Sequence, residues 1–211
     1  MIKLIIIDFD GVICDSNMVH INCWKYIFDI IGEIFSEEYY GYELQGLNKE
    51  IGIQKILDKY GHRDFDPAEL LKIRDKKMDE LYQDKRNFYL NKNIVDAIDY
   101  YKNKSVKIIL YSASSRVKDI LRMHQIYNKF DYIVDIKNEY SDKGEAINYI
   151  NLCKKFNTSP RNCVGIEDSP IAIKAMKESG IYTIGIGKYT KEYCDMHFEN
   201  VELFNKDKIN I

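Results

Sequence analysis

Short apolar runs alternate with amphipathic segments over most of the chain. Ile2 to Ile7 is β-branched and apolar without alternation, which is typical of a strand buried on both faces of a parallel sheet. The same pattern returns in four later segments: Val106 to Ser112, Tyr132 to Val134, Cys163 to Asp168 and Tyr182 to Gly187. Helical periodicity lies between them, in NIVDAIDYYKN, SRVKDILRMH, KGEAINYINLCKKF and SPIAIKAMKESG. This alternation predicts an α/β fold, a Rossmann-like doubly wound parallel sheet with right-handed crossovers.

The segment from about Asn17 to Asp84 breaks this alternation. It contains no convincing strand and instead predicts three helices, in MVHINCWKYIFDIIG, NKEIGIQKILDKYG and PAELLKIRDKKMDELYQD. We therefore predict a core domain formed by residues 1–15 and 86–211, with an inserted helical cap domain formed by residues 16–85.

Charge and cysteine content narrow the class of protein. The 31 basic and 33 acidic residues nearly cancel and form no basic tract, so neither a nucleic acid nor a membrane surface is expected as a partner. The five cysteines are scattered without a CxxC pair, which favours free thiols in a reducing cytoplasm. No apolar window approaches the length of a spanning helix. We predict a soluble cytoplasmic protein, a monomer or a weak dimer.

Polar side chains follow four of the predicted strands, at the point where each strand ends. The first strand leads to Asp8 and Asp10, the Val106 strand to Ser112 and Ser114, and the Cys163 strand to Glu167 and Asp168. Lys143 follows the Tyr132 strand after a short loop. Ligands bind at the carboxyl ends of strands in an open parallel sheet, so we expect these groups to form one site.

Each of these signals is ambiguous by itself. A DxD sequence is common in loops, a serine after a strand is often a helix cap, and Lys143 can be a solvated residue. EDSP before an apolar run is also a normal helix start, with serine as N-cap and proline in the first turn. Their joint placement at successive strand ends is what favours a functional interpretation.

Together these side chains suit phosphoryl transfer. Asp8 can act as a covalent nucleophile, and Asp10 can act as a general acid and base. The carboxylates of Asp8, Glu167 and Asp168 are hard oxygen ligands suited to Mg²⁺, which would also relieve the repulsion between Asp8 and Asp10. Ser112 can donate a hydrogen bond to a phosphoryl oxygen, and Lys143 can neutralise charge on the nucleophile and the phosphoryl group.

The motifs resemble those of the haloacid dehalogenase superfamily over nearly the whole chain. DFDGVICDS resembles its first motif, YSAS its second, Lys143 its third and GIEDS its fourth. The helices after the first motif resemble the small helical cap of the β-phosphoglucomutase-like subfamily. The run from Val19 to Trp24 and the stretch LQGLNKEIGIQKIL are similar to that subfamily's cap.

The resemblance implies specific roles. Asp8 would be the nucleophile and a Mg²⁺ ligand, and Asp10 the acid and base with its backbone carbonyl on the metal. Glu167 and Asp168 would complete the metal site. The phosphoryl group would be held by Ser112, Ala113 and Lys143, with Ser114 and Arg116 also beside the substrate. The implied substrate contacts in the cap are His20, Trp24, Leu44, Gly46, Lys49 and Lys77.

These cap positions also have structural interpretations. Trp24 shares helical spacing with Ile21, Ile27 and Phe28 and can be a core residue of the cap. His20 can be a surface residue of its helix. The two lysines can be solvated, as most lysines are.

Several positions depart from the mutase pattern. Lys49 replaces the arginine of the cap loop, so bidentate phosphate recognition is lost there. Gly144 follows Lys143 where a proline is usual, Arg116 replaces an asparagine, and YLNKN replaces a Pro-Gly before the next helix. A mutase must hold a second phosphate in its cap, whereas a phosphatase only needs to admit water. The departures therefore favour a phosphatase.

Three functions remain open at this point. The first is a Mg²⁺-dependent phosphomonoesterase acting on a small sugar, polyol or amino-alcohol phosphate through an aspartyl phosphate. The second is a mutase that converts β-glucose 1-phosphate to glucose 6-phosphate. The third is a non-catalytic sensor, which is disfavoured because Asp8, Asp10, Ser112, Lys143 and Asp168 are all present. Haloacid dehalogenation is not expected, because it needs neither the metal ligands nor Asp10.

Overall fold

The fold is built on a six-stranded sheet in which every pairing is parallel. The computed structural model describes residues 1–114, 116–134 and 142–209. The strand order is β5-β4-β1-β6-β7-β8. The strands are β1 (Leu4–Ile7), β4 (Lys107–Leu110), β5 (Tyr132–Ile133), β6 (Cys163–Glu167), β7 (Tyr182–Ile186) and β8 (Met196–Phe198), and a separate antiparallel pair joins β2 (Cys14–Asp15) to β3 (Tyr89–Leu90).

Strand β1 lies at the centre because its residues are apolar on both faces. Ile5 and Ile7 pack into one buried cluster, while Leu4 and Ile6 pack into another on the opposite face. The chain adds strands first on one side of β1 and then on the other. This order is that of a doubly wound sheet, whose ligand crevice opens at the reversal beside β1. The predicted fold class is confirmed.

The helices cover both faces of the sheet and form a second layer above its carboxyl edge. They are α1 (Asn17–Ile31), α2 (Glu37–Tyr39), α3 (Lys49–Tyr60), α4 (Pro67–Tyr82), α5 (Lys92–Asn103), α6 (Val117–Met123), α7 (Ala146–Lys155) and α8 (Pro170–Glu178). Sequence signals explain several boundaries. The Asn48 side chain caps α3 by accepting from the backbone N–H groups of Glu50 and Ile51, and Ser169 caps α8 directly before Pro170.

Helices α1, α3 and α4 pack on one another around their own apolar cluster. Trp24, Phe28, Ile53 and Leu70 are all buried in it. This cluster supports the predicted cap, while the domain limits at residues 15/16 and 85/86 stay a prediction.

The sequence analysis missed several short elements. Strand β8 has three residues at the edge of the sheet, and the β2–β3 pair has two residues a strand, so neither carries a readable hydrophobic period. A π-helix spans Tyr40–Leu44. Two predictions lie outside the described residues: the helix start at Ser115, and most of the loop between β5 and Lys143, residues 135–141.

The length and the apolar character of a helix decide whether it can cross a membrane. In the parts of the chain that the structure describes, no helix has both the length and the apolar character needed to cross a bilayer.

The central strand should dominate stability. Truncation of the fully buried Ile6 by Ile6→Ala is expected to lower the free energy of unfolding by about 2–5 kcal/mol, because it removes packed methyl groups and leaves a cavity. Ile34→Ala is the matched control, since Ile34 is 88% exposed. Urea unfolding monitored by circular dichroism measures both. Equal destabilisation of the two variants would contradict the assigned core.

Candidate active site

A buried ammonium joins two carboxylates at the carboxyl end of the sheet. Lys143 Nζ lies 2.7 Å from Asp8 Oδ1 and 2.6 Å from Glu167 Oε2. Asp8 follows β1 and Glu167 ends β6, the neighbouring strand, so the sheet itself sets their separation. Burial alone would lower the pKa of Lys143, but the charges of Asp8 and Glu167 outweigh it and raise that pKa. Lys143 is therefore a permanent cation in this site.

Asp8, Glu167 and Asp168 form a cluster of buried carboxylates. One oxygen from each lies within 4.8 Å of the others. Burial, reinforced by the charge of Asp8, raises the pKa of Asp168 to about 7 and that of Glu167 well above its ordinary value. Burial also raises the pKa of Asp8, against the opposing charge of Lys143. The cluster holds more negative charge than one ammonium balances, and its hard oxygen donors fit a divalent cation such as Mg²⁺.

The two oxygens of Glu167 already have contacts. Oε1 accepts hydrogen bonds from the backbone N–H groups of Asp168 and Ser169 at 3.2 Å each, and Oε2 faces Lys143. Asp168 Oδ2 accepts hydrogen bonds from Asn17 at 2.9 Å and Gln45 at 2.8 Å. Asn17 and Gln45 were missed by the sequence analysis, because only the fold brings these amides to the β6 end.

Asp10 is held by three donors. It accepts hydrogen bonds from Ser16 Oγ at 2.6 Å and Ser112 Oγ at 3.4 Å, and His20 Nε2 lies 3.1 Å away. Burial would raise the pKa of Asp10, but His20, by charge and hydrogen bond, and then Ser16 outweigh it and lower that pKa. Asp10 is therefore a carboxylate in the free protein, aimed by residues at the start of α1.

Gly11 is required for the turn that follows Asp10. Its φ is +75°, and a Cβ there would lie 1.9 Å from Asp168 Oδ2. A side chain would therefore be strained and would also collide with the carboxylate cluster. The glycine lets the chain leave β1 and start α1 without displacing Asp168.

One cavity of about 580 Å³ connects the carboxylates to the cap helices. Thirteen of the predicted site residues line it, namely Asp8, Asp10, His20, Trp24, Leu44, Gly46, Lys49, Ser112, Ala113, Ser114, Arg116, Lys143 and Asp168. Glu167 lies behind Lys143, and Lys77 does not line the cavity. Its size suits a small metabolite.

Two predicted cap contacts have other partners. Lys77 Nζ lies 3.2 Å from Glu80 Oε2 on the same helix, away from the cavity. Lys49 reaches the cavity, but its ammonium is 2.6 Å from Asp75 Oδ1. Trp24 is buried in the cap cluster, as its structural interpretation predicts, and it also lines the cavity, where its substrate contact stays a prediction.

Arg74 lines the cavity and was missed. It lies one turn after Leu70 and one turn before Met78, a spacing that places it on the inward face of α4. That spacing is the sequence signal for an inward position of Arg74. Its charge, in contrast, favours a solvated position, as for most arginines.

The cap contacts the core at several points. Gln45 bonds Asp168 with its side chain, and its backbone oxygen accepts from Ser169 Oγ at 2.7 Å. Arg116 donates to Asp79 of α4. The cavity is therefore closed over by contacts that come from both layers.

The chain is similar to known proteins over most of its length. The family model of haloacid dehalogenase-like hydrolases matches residues 2–180, so the chain belongs to that family. Within it, the chain is 28% identical over 196 residues to a β-phosphoglucomutase of Bacillus subtilis, covering 88% of this chain and 84% of that protein. The predicted resemblance to the superfamily and to its β-phosphoglucomutase-like branch is confirmed, and the chain is an enzyme of this phosphatase and phosphomutase group.

Solved structures show the same fold. A β-phosphoglucomutase from Clostridium difficile superimposes with a TM-score of 0.83 at 23% identity, covering 99% of this chain and 96% of that one. A CbbY mutant from Rhodobacter sphaeroides in complex with xylulose-(1,5)bisphosphate gives a TM-score of 0.76 at 20% identity, with 96% of each chain covered.

Mg²⁺ should stabilise the folded protein through the carboxylate cluster. At about 100 times its Kd, a ligand that binds only the folded state raises the free energy of unfolding by about 2.7 kcal/mol. We expect a shift of that order for the unmodified protein and the loss of most of it in Asp168→Asn. Denaturant unfolding with Mg²⁺ or with a chelator measures it.

Asp64→Asn is the control for that experiment, because Asp64 is exposed and far from the cluster in sequence. It should retain the full shift. A shift that survives in Asp168→Asn, or no shift in the unmodified protein, would count against a metal site here.

Proposed function

We propose that this protein is a Mg²⁺-dependent phosphatase that hydrolyses a small phosphorylated metabolite through an aspartyl phosphate on Asp8. The observation that carries the proposal is the convergence of Asp8, Asp10 and Lys143 in one cavity, with Lys143 Nζ 2.7 Å from Asp8 Oδ1. Nucleophile, proton carrier and fixed cation are the groups that phosphoryl transfer needs.

Asp8 carries out the first half of the reaction. Its carboxylate attacks phosphorus, and the bond between phosphorus and the departing oxygen breaks. Asp10, which is ionised in the free protein, takes up a proton from solvent as the ester binds and gives it to that oxygen, which leaves as the alcohol. Lys143 and the Ser112 hydroxyl stabilise the charge that develops on the phosphoryl oxygens.

Asp10 carries out the second half. As a carboxylate it takes a proton from a water molecule, which attacks phosphorus and releases Asp8 with inorganic phosphate. Ser16 and His20 aim Asp10 and keep it ionised, which suits its role as base.

Asp8, Asp10, Glu167 and Asp168 would hold the Mg²⁺. The ion would supply positive charge against the carboxylates and the phosphoryl oxygens. The raised pKa values of Asp8 and Asp168 support this role, because burial disfavours their ionised forms and a nearby positive charge would stabilise them. The monomeric or weakly dimeric state stays a prediction.

A phosphomutase is the second candidate. The B. subtilis relative is named a β-phosphoglucomutase, and Arg74 places an arginine in the cap cavity, where the sequence analysis predicted the lysines Lys49 and Lys77. That observation removes part of the sequence argument for a phosphatase. Conversion of β-glucose 1-phosphate to glucose 6-phosphate without release of phosphate would decide for the mutase.

Phosphate release from a panel of phosphomonoesters, with and without Mg²⁺, tests the phosphatase. Asp8→Asn is expected to lower kcat by about 10³-fold or more, because the amide cannot act as the nucleophile. Asp29→Asn is the control, since Asp29 is an exposed carboxylate of α1 outside the motif. It should retain activity. Turnover by Asp8→Asn at the unmodified rate would rule the mechanism out.

A further inference from the structure

Arg74 is a buried cation on the cavity wall. The residue is only 5% exposed, and among the residues that the structure describes its buried Nε has no hydrogen-bond acceptor. Within residues 1–114, 116–134 and 142–209, no side chain forms an ion pair with its guanidinium. Burial lowers the pKa of Arg74, which reflects the cost of removing this charge from water. A buried guanidinium of this kind calls for an anion.

The position of Arg74 is fixed by packing. Its guanidinium carbon lies 4.5 Å from the centroid of the Trp24 ring. Trp24 in turn packs on Gly52 of α3, where a Cβ would lie 2.7 Å from Trp24 Cη2. A glycine within a helix is less favourable than an alanine, and the close approach of the Trp24 ring is the structural reason for a glycine at position 52. Gly52 and Trp24 therefore form a preorganised support for one face of the Arg74 guanidinium.

The other cations of the cavity wall differ from Arg74. Lys49 is paired with Asp75, Arg116 with Asp79, and Lys143 with Asp8 and Glu167. Lys118 lines the cavity too, but it is only half-buried and water can solvate it. Arg74 is thus the buried positive charge that a ligand would neutralise.

The surrounding charge favours a carboxylate over a second phosphate. Glu50 lines the same cavity and would repel a dianion more strongly than a monoanion, while the charge of Asp75 is already balanced by Lys49. A carboxylate carries one negative charge, which one guanidinium balances, and its two oxygens match the planar fork of arginine.

We propose that Arg74, supported by Trp24, binds a carboxylate of the substrate, so that the substrate is a small phosphorylated carboxylic acid. This inference rests on the proposed phosphatase function, since the phosphoryl group is taken to lie at Asp8. It assigns Arg74 as the residue that selects the end of the substrate away from the phosphate.

Matched esters test the preference directly. 3-Phosphoglycerate and glycerol 3-phosphate differ only by a carboxylate in place of a hydroxymethyl group, as do 6-phosphogluconate and sorbitol 6-phosphate. We expect kcat/KM to be about tenfold or more higher for the acid of at least one pair. Fructose 1,6-bisphosphate and fructose 6-phosphate form a third pair, which differs by a second phosphate. For this pair we expect no comparable preference in kcat/KM.

Arg74→Gln is expected to lower kcat/KM for the preferred acid by about 10- to 100-fold, the loss of a charge-assisted contact, and to leave its neutral partner within a few-fold. Arg74→Lys keeps the charge without the fork and should recover part of the loss. Lys76→Gln is the control, because it removes a charge from an exposed position of the same helix. Thermal unfolding checks that the variants fold.

The outcomes separate this inference from the proposed function. Calorimetric binding of each ester pair to Asp8→Asn, with and without Arg74→Gln, reports the preference even if no ester is hydrolysed. Equal loss for acid and neutral esters would make Arg74 a structural residue. A preference for the bisphosphate that Arg74→Gln removes would assign a phosphate subsite instead, and either result overturns the carboxylate proposal.

Discussion

The contact of Lys143 with Asp8 and Glu167 is the interaction on which the site depends. Like charges at the ends of neighbouring parallel strands repel one another strongly once they are buried. The ammonium lies within 2.7 Å of both carboxylates and supplies one opposing charge. This single positive charge does not balance the whole cluster, since Asp168 adds a third carboxylate. The ammonium therefore stabilises the buried carboxylates in the folded protein, and the remaining negative charge of the cluster favours binding of a further cation.

The sheet and the cap divide the work of the protein. Strands β1 and β6 set the spacing of the reacting carboxylates, and this part is rigid because both strands are buried on both faces. The cap helices supply the opposite wall of the cavity. Gln45 links the layers by contacting Asp168, so the position of the cap is coupled to the carboxylate cluster. The proposed chemistry thus uses residues of the core, and the proposed choice of substrate uses residues of the cap.

The cap also shows why residue type and residue position must be considered together. Lys49 lies where the resemblance to the mutases implies an arginine of the cap loop, and its ammonium is paired with Asp75. Arg74 lies elsewhere on the same wall, with its guanidinium carbon 4.5 Å from the centroid of the Trp24 ring and no ion-pair partner among the described residues. The cavity wall therefore presents a guanidinium from α4, and not from the start of α3, where Lys49 lies.

The sequence by itself determined the doubly wound fold, the strand ends and the gathering of Asp8, Asp10, Ser112 and Lys143, because strand and helix periods are local and parallel strands share one carboxyl edge. It could not determine side-chain pairing across the cap. Helical spacing was a signal for an inward position of Arg74, but only the tertiary structure placed its guanidinium against Trp24 while Lys77 pairs with Glu80. Contacts between residues distant along the chain leave no local period, so tertiary structure alone decided them.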